Sequence, residues 1–139
     1  MRKIEVPRIM IKNPTSKINS ELRQWPVQLN LLTPYASFFD GADLLIAADC
    51  VGFANPNLHT ELMKGKAICI GCPKLDDIET YKEKIYEIIK SNNVKSITVA
   101  IMEVPCCYGL YAITEDALKR SGKKISLIKK VVSVNGVMS

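Results

Sequence analysis

The stretch Asp43-Leu44-Leu45-Ile46-Ala47-Ala48-Asp49-Cys50 decides the fold. Its first six residues are almost wholly apolar, which is the pattern of a parallel strand covered on both faces. The run then ends in a carboxylate and a thiol. Two later runs repeat this form: residues 66–71 before Cys72, and residues 95–102 before Glu103, Cys106 and Cys107.

Helical patterns separate these runs. The clearest covers residues 76–92, where Ile78, Tyr81, Ile85, Ile88 and Ile89 recur at helical spacing. Further elements are predicted as follows: a strand over 27–32, a short helical turn over 35–40, helices over 58–64 and 110–121, and an edge strand over 125–134. Strands that alternate with helices predict an α/β fold, a doubly wound and mainly parallel sheet of about five strands with helices on both faces.

The length indicates one domain. A chain of 139 residues that is 47% hydrophobic can bury its own core without disulfides or a structural metal. Residues 1–24 contain Pro7 and Pro14 and keep no helical period, so they are predicted to form an extended N-terminal arm. Residues 25–139 are predicted to form the single α/β domain.

Composition excludes several classes of protein. No apolar run approaches the roughly 20 residues of a membrane span, and the start has no signal-peptide core. We therefore expect a cytoplasmic protein that does not contact membranes. The net charge of +5 comes mainly from the last third, and no nucleic-acid motif accompanies it, so the charge favours a solvated face or an acidic protein partner over RNA or DNA.

The thiols carry the functional prediction. Ligands of open parallel sheets bind just beyond the carboxyl ends of the strands, so Cys50, Cys72, Cys106 and Cys107 are predicted to converge there. In a reducing cytosol such a cluster indicates metal binding or catalysis rather than disulfides. Cys69 lies inside a strand and is interpreted as a core residue.

Neighbouring residues extend this set. Asp49 and His59 are candidate further ligands, although a lone histidine is more often a residue at the start of a helix. Cys72 and Cys107 precede predicted helices, which lowers the pKa of a thiol and would make either one a ligand or a nucleophile even without metal. Lys74, at the start of the 76–92 helix, would help to bind a small anion, or would simply pair with Asp76 or Asp77 at the surface.

Two metal-site patterns resemble parts of this set. Cys72 with Cys106-Cys107 is spaced like the first half of the cysteine-rich CCG motif of heterodisulfide-reductase-type subunits, without its later Cys-x-x-Cys. Cys72 with Glu103-Val104-Pro105-Cys106 resembles the zinc arrangement of beta-carbonic anhydrases, with Glu103 in place of the histidine. A vicinal Cys106–Cys107 disulfide is a strained alternative.

A longer resemblance covers the chain from about residue 22 to near its end. Residues 23–29, 42–50, 70–76 and 102–107 resemble the C-terminal domain of ferredoxin-fused iron–sulfur proteins of anaerobic bacteria and archaea. The resemblance implies a 4Fe-4S or other iron–sulfur centre. The site residues that it implies are Cys50, Cys72, Cys106 and Cys107, together with His59 and Lys74. The ferredoxin part of that family is missing, because residues 1–24 contain no cysteine.

Three functions follow. The first is an iron–sulfur or other metal site in anaerobic redox metabolism, with electron transfer or a redox reaction with a ferredoxin-type partner. The second is a zinc or thiol enzyme, with Cys72 or Cys107 as nucleophile, acting on a small anion. The third is a non-catalytic module that docks a protein through its arm and basic third, and a homo-oligomer is compatible with each.

Overall fold

The computed structural model describes residues 4–5, through their backbone pairing, and residues 18–139. Two short strands, β1 (Ile4–Glu5) and β2 (Gln24–Trp25), pair antiparallel. The predicted arm over residues 1–24 lies mostly outside the described residues. Its last part, residues 18–23, has no regular secondary structure and leads into β2.

The main sheet has four parallel strands: β3 (Asp43–Ala48), β4 (Lys66–Gly71), β5 (Ser96–Met102) and β6 (Ser126–Val132). Their order is β4-β3-β5-β6, with β3 and β5 in the centre. Five of the six residues of β3 are buried, as expected for a strand covered on both faces. The predicted α/β fold with a parallel sheet is confirmed.

The strand predicted over residues 27–32 is wrong except at one position. Gln28 forms a single parallel bridge with Ile70, and Leu29–Leu31 then form a 3-10 turn. Leu29 and Leu32 are both buried, so the leucines face the core at a helical spacing of three rather than at the alternation of a strand.

Helices connect the strands. The elements are α1 (Val51–Ala54), a π-helical segment (Leu58–Met63), α2 (Ile78–Ser91) and α3 (Tyr108–Ser121). The chain steps from β3 to β4 in one direction and from β4 to β5 and β6 in the other, so right-handed crossovers place α1 and the π-helical segment on one face and α2 and α3 on the other. None of the helices in the described ranges is long and apolar enough to cross a membrane.

Helix α2 shows why the sequence pattern was informative. Tyr81, Ile85, Ile88 and Ile89 are buried as their spacing predicts, because they form one stripe on the helix. Ile78 keeps 36% of its surface exposed, since it lies in the first turn, at the rim of the sheet. The helix begins after Asp77, whose carboxylate accepts hydrogen bonds from Glu79 N (3.1 Å) and Thr80 Oγ1 (3.0 Å).

Candidate functional site

The strand order defines where a ligand would bind. The chain leaves β3 toward β4 on one side and later returns to β5 on the other, so the carboxyl ends of β3 and β5 form the topological switch point. Because the strands are parallel, the four predicted cysteines all follow carboxyl ends and lie at the same edge of the sheet. Cys50 follows β3, Cys72 follows β4, and Cys106-Cys107 follows β5. We call this rim, with these cysteines and Asp49, the thiol edge.

The turn after β4 is tightly built. The carbonyl of Cys72 accepts hydrogen bonds from Leu75 N and Asp76 N, both at 3.1 Å. The amide of Cys72 donates to the hydroxyl of Tyr81 at 3.2 Å, and that hydroxyl in turn donates to the carboxylate of Asp76. Cys72 itself is partly exposed. The backbone of this thiol is therefore held from inside the protein while its side chain meets solvent.

The turn after β5 holds one buried and one exposed thiol. Pro105–Cys107 form a 3-10 turn that continues directly into α3. Cys106 is exposed, whereas Cys107 is 7% exposed. Burial raises the pKa of the Cys107 thiol, and its hydrogen bond with Cys106 and the nearby thiol of Cys72 act in the same direction. The predicted lowering of the pKa at this helix start is thus wrong for Cys107, because desolvation outweighs the helix dipole.

The two turns approach each other across the end of β3. A Cβ atom built on Gly109 would lie 3.8 Å from Pro73 Cβ, so the residue after Cys72 packs beside the first turn of α3. Strands β4 and β5 flank β3, which separates them by roughly 10 Å at the usual strand spacing. The loops beyond them therefore bridge this gap and bring Cys72 toward Cys106 and Cys107.

Asp49 lies between these turns. Its amide donates to Gly71 O at 3.1 Å, which ties the end of β3 to the end of β4. Its Oδ1 atom is buried and has no hydrogen-bond partner among the described residues. Its charge also contributes to the raised pKa of Tyr81, after burial and the hydrogen bond to Asp76. An acceptor of this kind can accept a hydrogen bond from a donor on a bound molecule.

Cys50 lies at the rim rather than in the crevice. It is exposed, and its carbonyl starts α1 by accepting hydrogen bonds from Phe53 N and Ala54 N, both at 3.1 Å. Phe53 beside it is 96% exposed, and Leu75 and Tyr108 are also exposed apolar residues next to cysteine-bearing turns. The thiol edge is thus bordered by apolar side chains, one following each cysteine turn.

Two of the other predicted site residues are engaged elsewhere. His59 lies in the π-helical segment, and its Nδ1 atom accepts a hydrogen bond from Glu21 N at 3.0 Å. Glu103 binds the end of β6 and the segment after it: its amide donates to Val132 O (3.0 Å) and its carboxylate accepts from Val134 N (3.3 Å). Both side chains have structural roles that a sequence does not display.

Lys74 is exposed in the turn that follows Cys72. Neither Asp76 nor Asp77 forms an ion pair with it in the described part of the chain: Asp76 binds Tyr81, and Asp77 caps α2. The ammonium group is therefore available to solvent. The start of α2 is less open to an anion than the sequence indicated, because the carboxylate of Asp77 already accepts from Glu79 N.

The donor set fits a thiophilic metal in its chemistry but is not a preformed cage. Thiolates are the ligands that iron–sulfur clusters and zinc prefer. Among residues 18–139, however, no group of three or more His, Cys, Asp and Glu side chains is arranged to hold a metal ion. All five cysteines are free thiols, and Cys69 is fully buried within β4, as predicted for a core residue.

Some basic residues of the last third of the sequence bind other groups of the protein. Lys123 Nζ donates to Ile89 O (2.7 Å) and Asn92 O (2.8 Å), which caps the end of α2. Arg120 pairs with Glu83 at 2.8 Å and lies over the ring of Tyr86. These contacts lie at the C-terminal end of α3, away from the cysteines, so they do not form a charged rim around the thiol edge.

A cavity of about 380 Å³ opens at the opposite, amino edge of the sheet. Its walls include Arg23, Asp40 and Asp43. The two carboxylates already accept hydrogen bonds, Asp40 from Asn93 N (2.9 Å) and Asp43 from Ser96 Oγ (2.7 Å). We interpret the cavity as a polar surface cleft whose carboxylates are engaged in hydrogen bonds within the protein.

Sequence reasoning missed the roles of Tyr81 and Asp76. Tyr81 appeared only as one more apolar position in the stripe of α2, and Asp76 only as an acidic residue of the first helical turn. A weak signal was present, because a tyrosine buried in a core normally needs a partner for its hydroxyl.

Comparison with known proteins shows which family this architecture belongs to. An uncharacterized protein of Archaeoglobus fulgidus is 36% identical over 118 residues, which are 85% of this chain and 83% of that relative. No solved structure matches the chain. The model of the Rossmann-like domain family matches residues 36–139, which include the whole parallel sheet and all the cysteines. The chain therefore belongs to the Rossmann-like domain family.

Proposed function

We propose that the thiol edge binds an iron–sulfur cluster, or another thiophilic metal centre, and that the protein acts in cytoplasmic redox metabolism with a ferredoxin-type partner. The observation that carries the proposal is the approach of the Cys72 turn to the Cys106–Cys107 turn at the switch point of the sheet. Cys72, Cys106 and Cys107 would be the main ligands, and Cys50 would supply the fourth thiolate.

Two of the four proposed ligands have exposed side chains, and the other two are held in place by their turns. Cys50 and Cys106 are exposed and not fixed by packing, so their side chains can rotate toward a shared centre at little cost. Cys72 and Cys107 are held by their turns and would define where that centre lies. Binding therefore requires a local adjustment of exposed side chains, not of the sheet.

Loading of the site should depend on pH. A thiol must lose its proton before it can ligate a metal, and burial raises the pKa of Cys107. Metal uptake is therefore expected to weaken as the pH falls. The bound group would supply one-electron redox chemistry, while the chain supplies the ligands and an apolar border for a partner.

The resemblance to the C-terminal domain of ferredoxin-fused iron–sulfur proteins supports the choice of cofactor and partner. In such proteins the ferredoxin part belongs to the same chain, so here a separate ferredoxin would take its place. The apolar residues Phe53, Leu75 and Tyr108 at the rim are suited to a transient contact of that kind.

The first test is anaerobic metal analysis of the purified chain and of single cysteine variants. We expect iron and acid-labile sulfide in the wild type, and loss of most of both in Cys72→Ala and Cys107→Ala, because each removes a fixed ligand. Cys69→Ala is the matched control: it should keep the metal and lose only about 1 kcal/mol of stability for a small core truncation.

The outcomes separate the alternatives. Zinc without sulfide, lost on the same substitutions, would support the zinc enzyme, for which Lys74 and Glu103 would be the next residues to replace. A folded wild-type protein that takes up neither iron nor zinc would contradict the proposal. Equal metal loss in the Cys69 variant would show that the loss reports general damage and not removal of a ligand.

A further inference from the structure

One buried hydroxyl organises the turn that carries Cys72. The side chain of Tyr81 is fully buried in α2, and its hydroxyl has three polar neighbours: Cys72 N at 3.2 Å, the carboxylate of Asp76, and Gln28 Oε1 at 3.4 Å. Phenylalanine would fill the same space without the cost of burying a hydroxyl. We therefore attribute the choice of tyrosine over phenylalanine at this position to the hydrogen bonds of the hydroxyl.

The end of β4 is shaped around the ring of Tyr81. A Cβ atom on Gly71 would lie only 2.6 Å from Tyr81 Cε2 and 2.8 Å from Cζ. A glycine at the last position of the strand thus lets the phenol lie directly under the residue that precedes Cys72. In this position the hydroxyl accepts a hydrogen bond from the amide of Cys72.

The turn is held at both of its ends. Its first residue, Cys72, donates its amide to Tyr81, and its last, Asp76, accepts from the same hydroxyl through its side chain. Between them the carbonyl of Cys72 accepts from Leu75 N and Asp76 N. A single phenol thus closes the loop that brings Pro73 beside α3, and with it Cys72 toward Cys106 and Cys107.

We propose that Tyr81 and Asp76 are positioning residues of the thiol edge: they fix the backbone of Cys72 so that its sulfur faces the Cys106–Cys107 turn. The inference rests on the proposed function only in taking this edge as the working site. It assigns a role to two residues that contribute no ligand of their own.

The experiment measures the alkylation rate of each cysteine in the metal-free, reduced, full-length protein, with iodoacetamide and mass spectrometry. Cys72 is only partly exposed, so a turn that loses its anchor in Tyr81→Phe should uncover the thiol further, and we expect Cys72 to react severalfold faster, up to about tenfold, the equivalent of one hydrogen bond. Asp76→Ala should reproduce the effect. Asp76→Asn keeps an acceptor oxygen and should restore the rate to within about twofold of the wild type.

Two controls make the result specific. Tyr86→Phe removes a hydroxyl from the same helix at a partly buried position and should leave Cys72 unchanged. Fully buried Cys69 reports on unfolding and should stay unreactive in every variant. A Cys72 rate in Tyr81→Phe within about twofold of the wild type would overturn the proposal, as would an acceleration that Cys69 shares, since a merely structural hydroxyl would loosen the whole core.

The assay needs no metal, so its outcome is independent of metal uptake. If the wild type binds no iron or zinc, the proposed function fails while the alkylation rates still decide the role of Tyr81. If the wild type does bind iron, Tyr81→Phe should in addition release it faster than Tyr86→Phe does.

Discussion

Gly71 carries a prediction at the scale of the single residue. A Cβ atom there would lie within 2.9 Å of three atoms of the Tyr81 side chain, which is fully buried and cannot easily move away. Gly71→Ala should therefore lower the free energy of unfolding by about 1–3 kcal/mol, the usual cost of overpacking. Urea denaturation followed by circular dichroism measures it.

Gly109→Ala is the matched control. Its new Cβ atom would meet Ile78 at 3.5 Å and Pro73 at 3.8 Å, which are ordinary contacts, and alanine favours the helix over glycine. We expect this variant to be as stable as the wild type or slightly more so. A Gly71 variant that is as stable as the Gly109 variant would mean that the Tyr81 ring moves freely.

Individual residues were predictable where their role depended on neighbours in sequence. Cys69, between two isoleucines of an apolar run, is in the core as predicted. His59 and Glu103 were singled out for their chemistry, yet each is bound to a backbone amide that is 38 or 31 residues away in the chain. Contacts of that range depend on how elements pack, which no local pattern encodes.

One side chain pairs with the outer edge of β4 at Ile68, next to the backbone bridge that Gln28 forms with Ile70. The amide group of Gln24, which is fully buried, donates to Ile68 O (2.7 Å) and accepts from Ile68 N (3.0 Å), so it takes the place of a neighbouring strand. Gln24→Leu keeps the volume but leaves both backbone groups of Ile68 unpaired. We expect a loss of about 2–4 kcal/mol in the free energy of unfolding.

Hydrogen exchange locates the effect of that substitution. The Ile68 amide should exchange faster relative to the centre of β5, because the edge of β4 becomes open to water. Gln28→Leu is the control: the Gln28 amide oxygen accepts from Leu29 N and lies 3.4 Å from the Tyr81 hydroxyl, but it does not bind Ile68, so its loss should leave the protection of the Ile68 amide unchanged. Unchanged protection of Ile68 would show that the side chain is not acting as a strand partner.

The elements followed the sequence closely where one period dominated. The stripe of α2 and the apolar runs of β3, β4 and β5 were predicted within a few residues, and each end is set by a local feature such as Asp77 at the start of α2. Residues 27–32 were misinterpreted because apolar and polar residues alternate over residues 27–31, as in a strand, although Leu29–Leu31 form a 3-10 turn. The predicted strand pairs with β4 only at Ile70, and the Gln24 side chain occupies the edge at Ile68.

At the scale of the whole molecule, alternating strands and helices predicted a parallel sheet, and a parallel sheet places the residues after its strands at one edge. Cys50, Cys72, Cys106 and Cys107 do follow the carboxyl ends of β3, β4 and β5, at one edge of the sheet. The sequence did not predict that the loops after β4 and β5 would approach each other, because the strand order and the packing of Pro73 near Gly109 emerge only in the fold. The burial that raises the pKa of Cys107 against the helix dipole likewise depends on the packing of the whole fold.

Burial of weak acids makes the stability of the whole protein depend on alkaline pH. Burial raises the pKa of Cys69 from 9.0 to about 12, and it also raises the pKa values of Cys107 and Tyr81. Each group is neutral in the folded state over a range where the unfolded chain would already lose the proton. The stabilisation is therefore fully present below about pH 9 and is lost as the pH rises toward 12.

The free energy of unfolding, measured in urea between pH 8 and 11, should accordingly fall with increasing pH. The fall should be shallower in Cys69→Ala, because that variant no longer has a buried thiol that the unfolded state can ionise. Since all other titrating groups are shared, the difference between the two curves isolates Cys69. Parallel curves for the two proteins would contradict this account, because they would mean that the thiol ionises as easily inside β4 as in water.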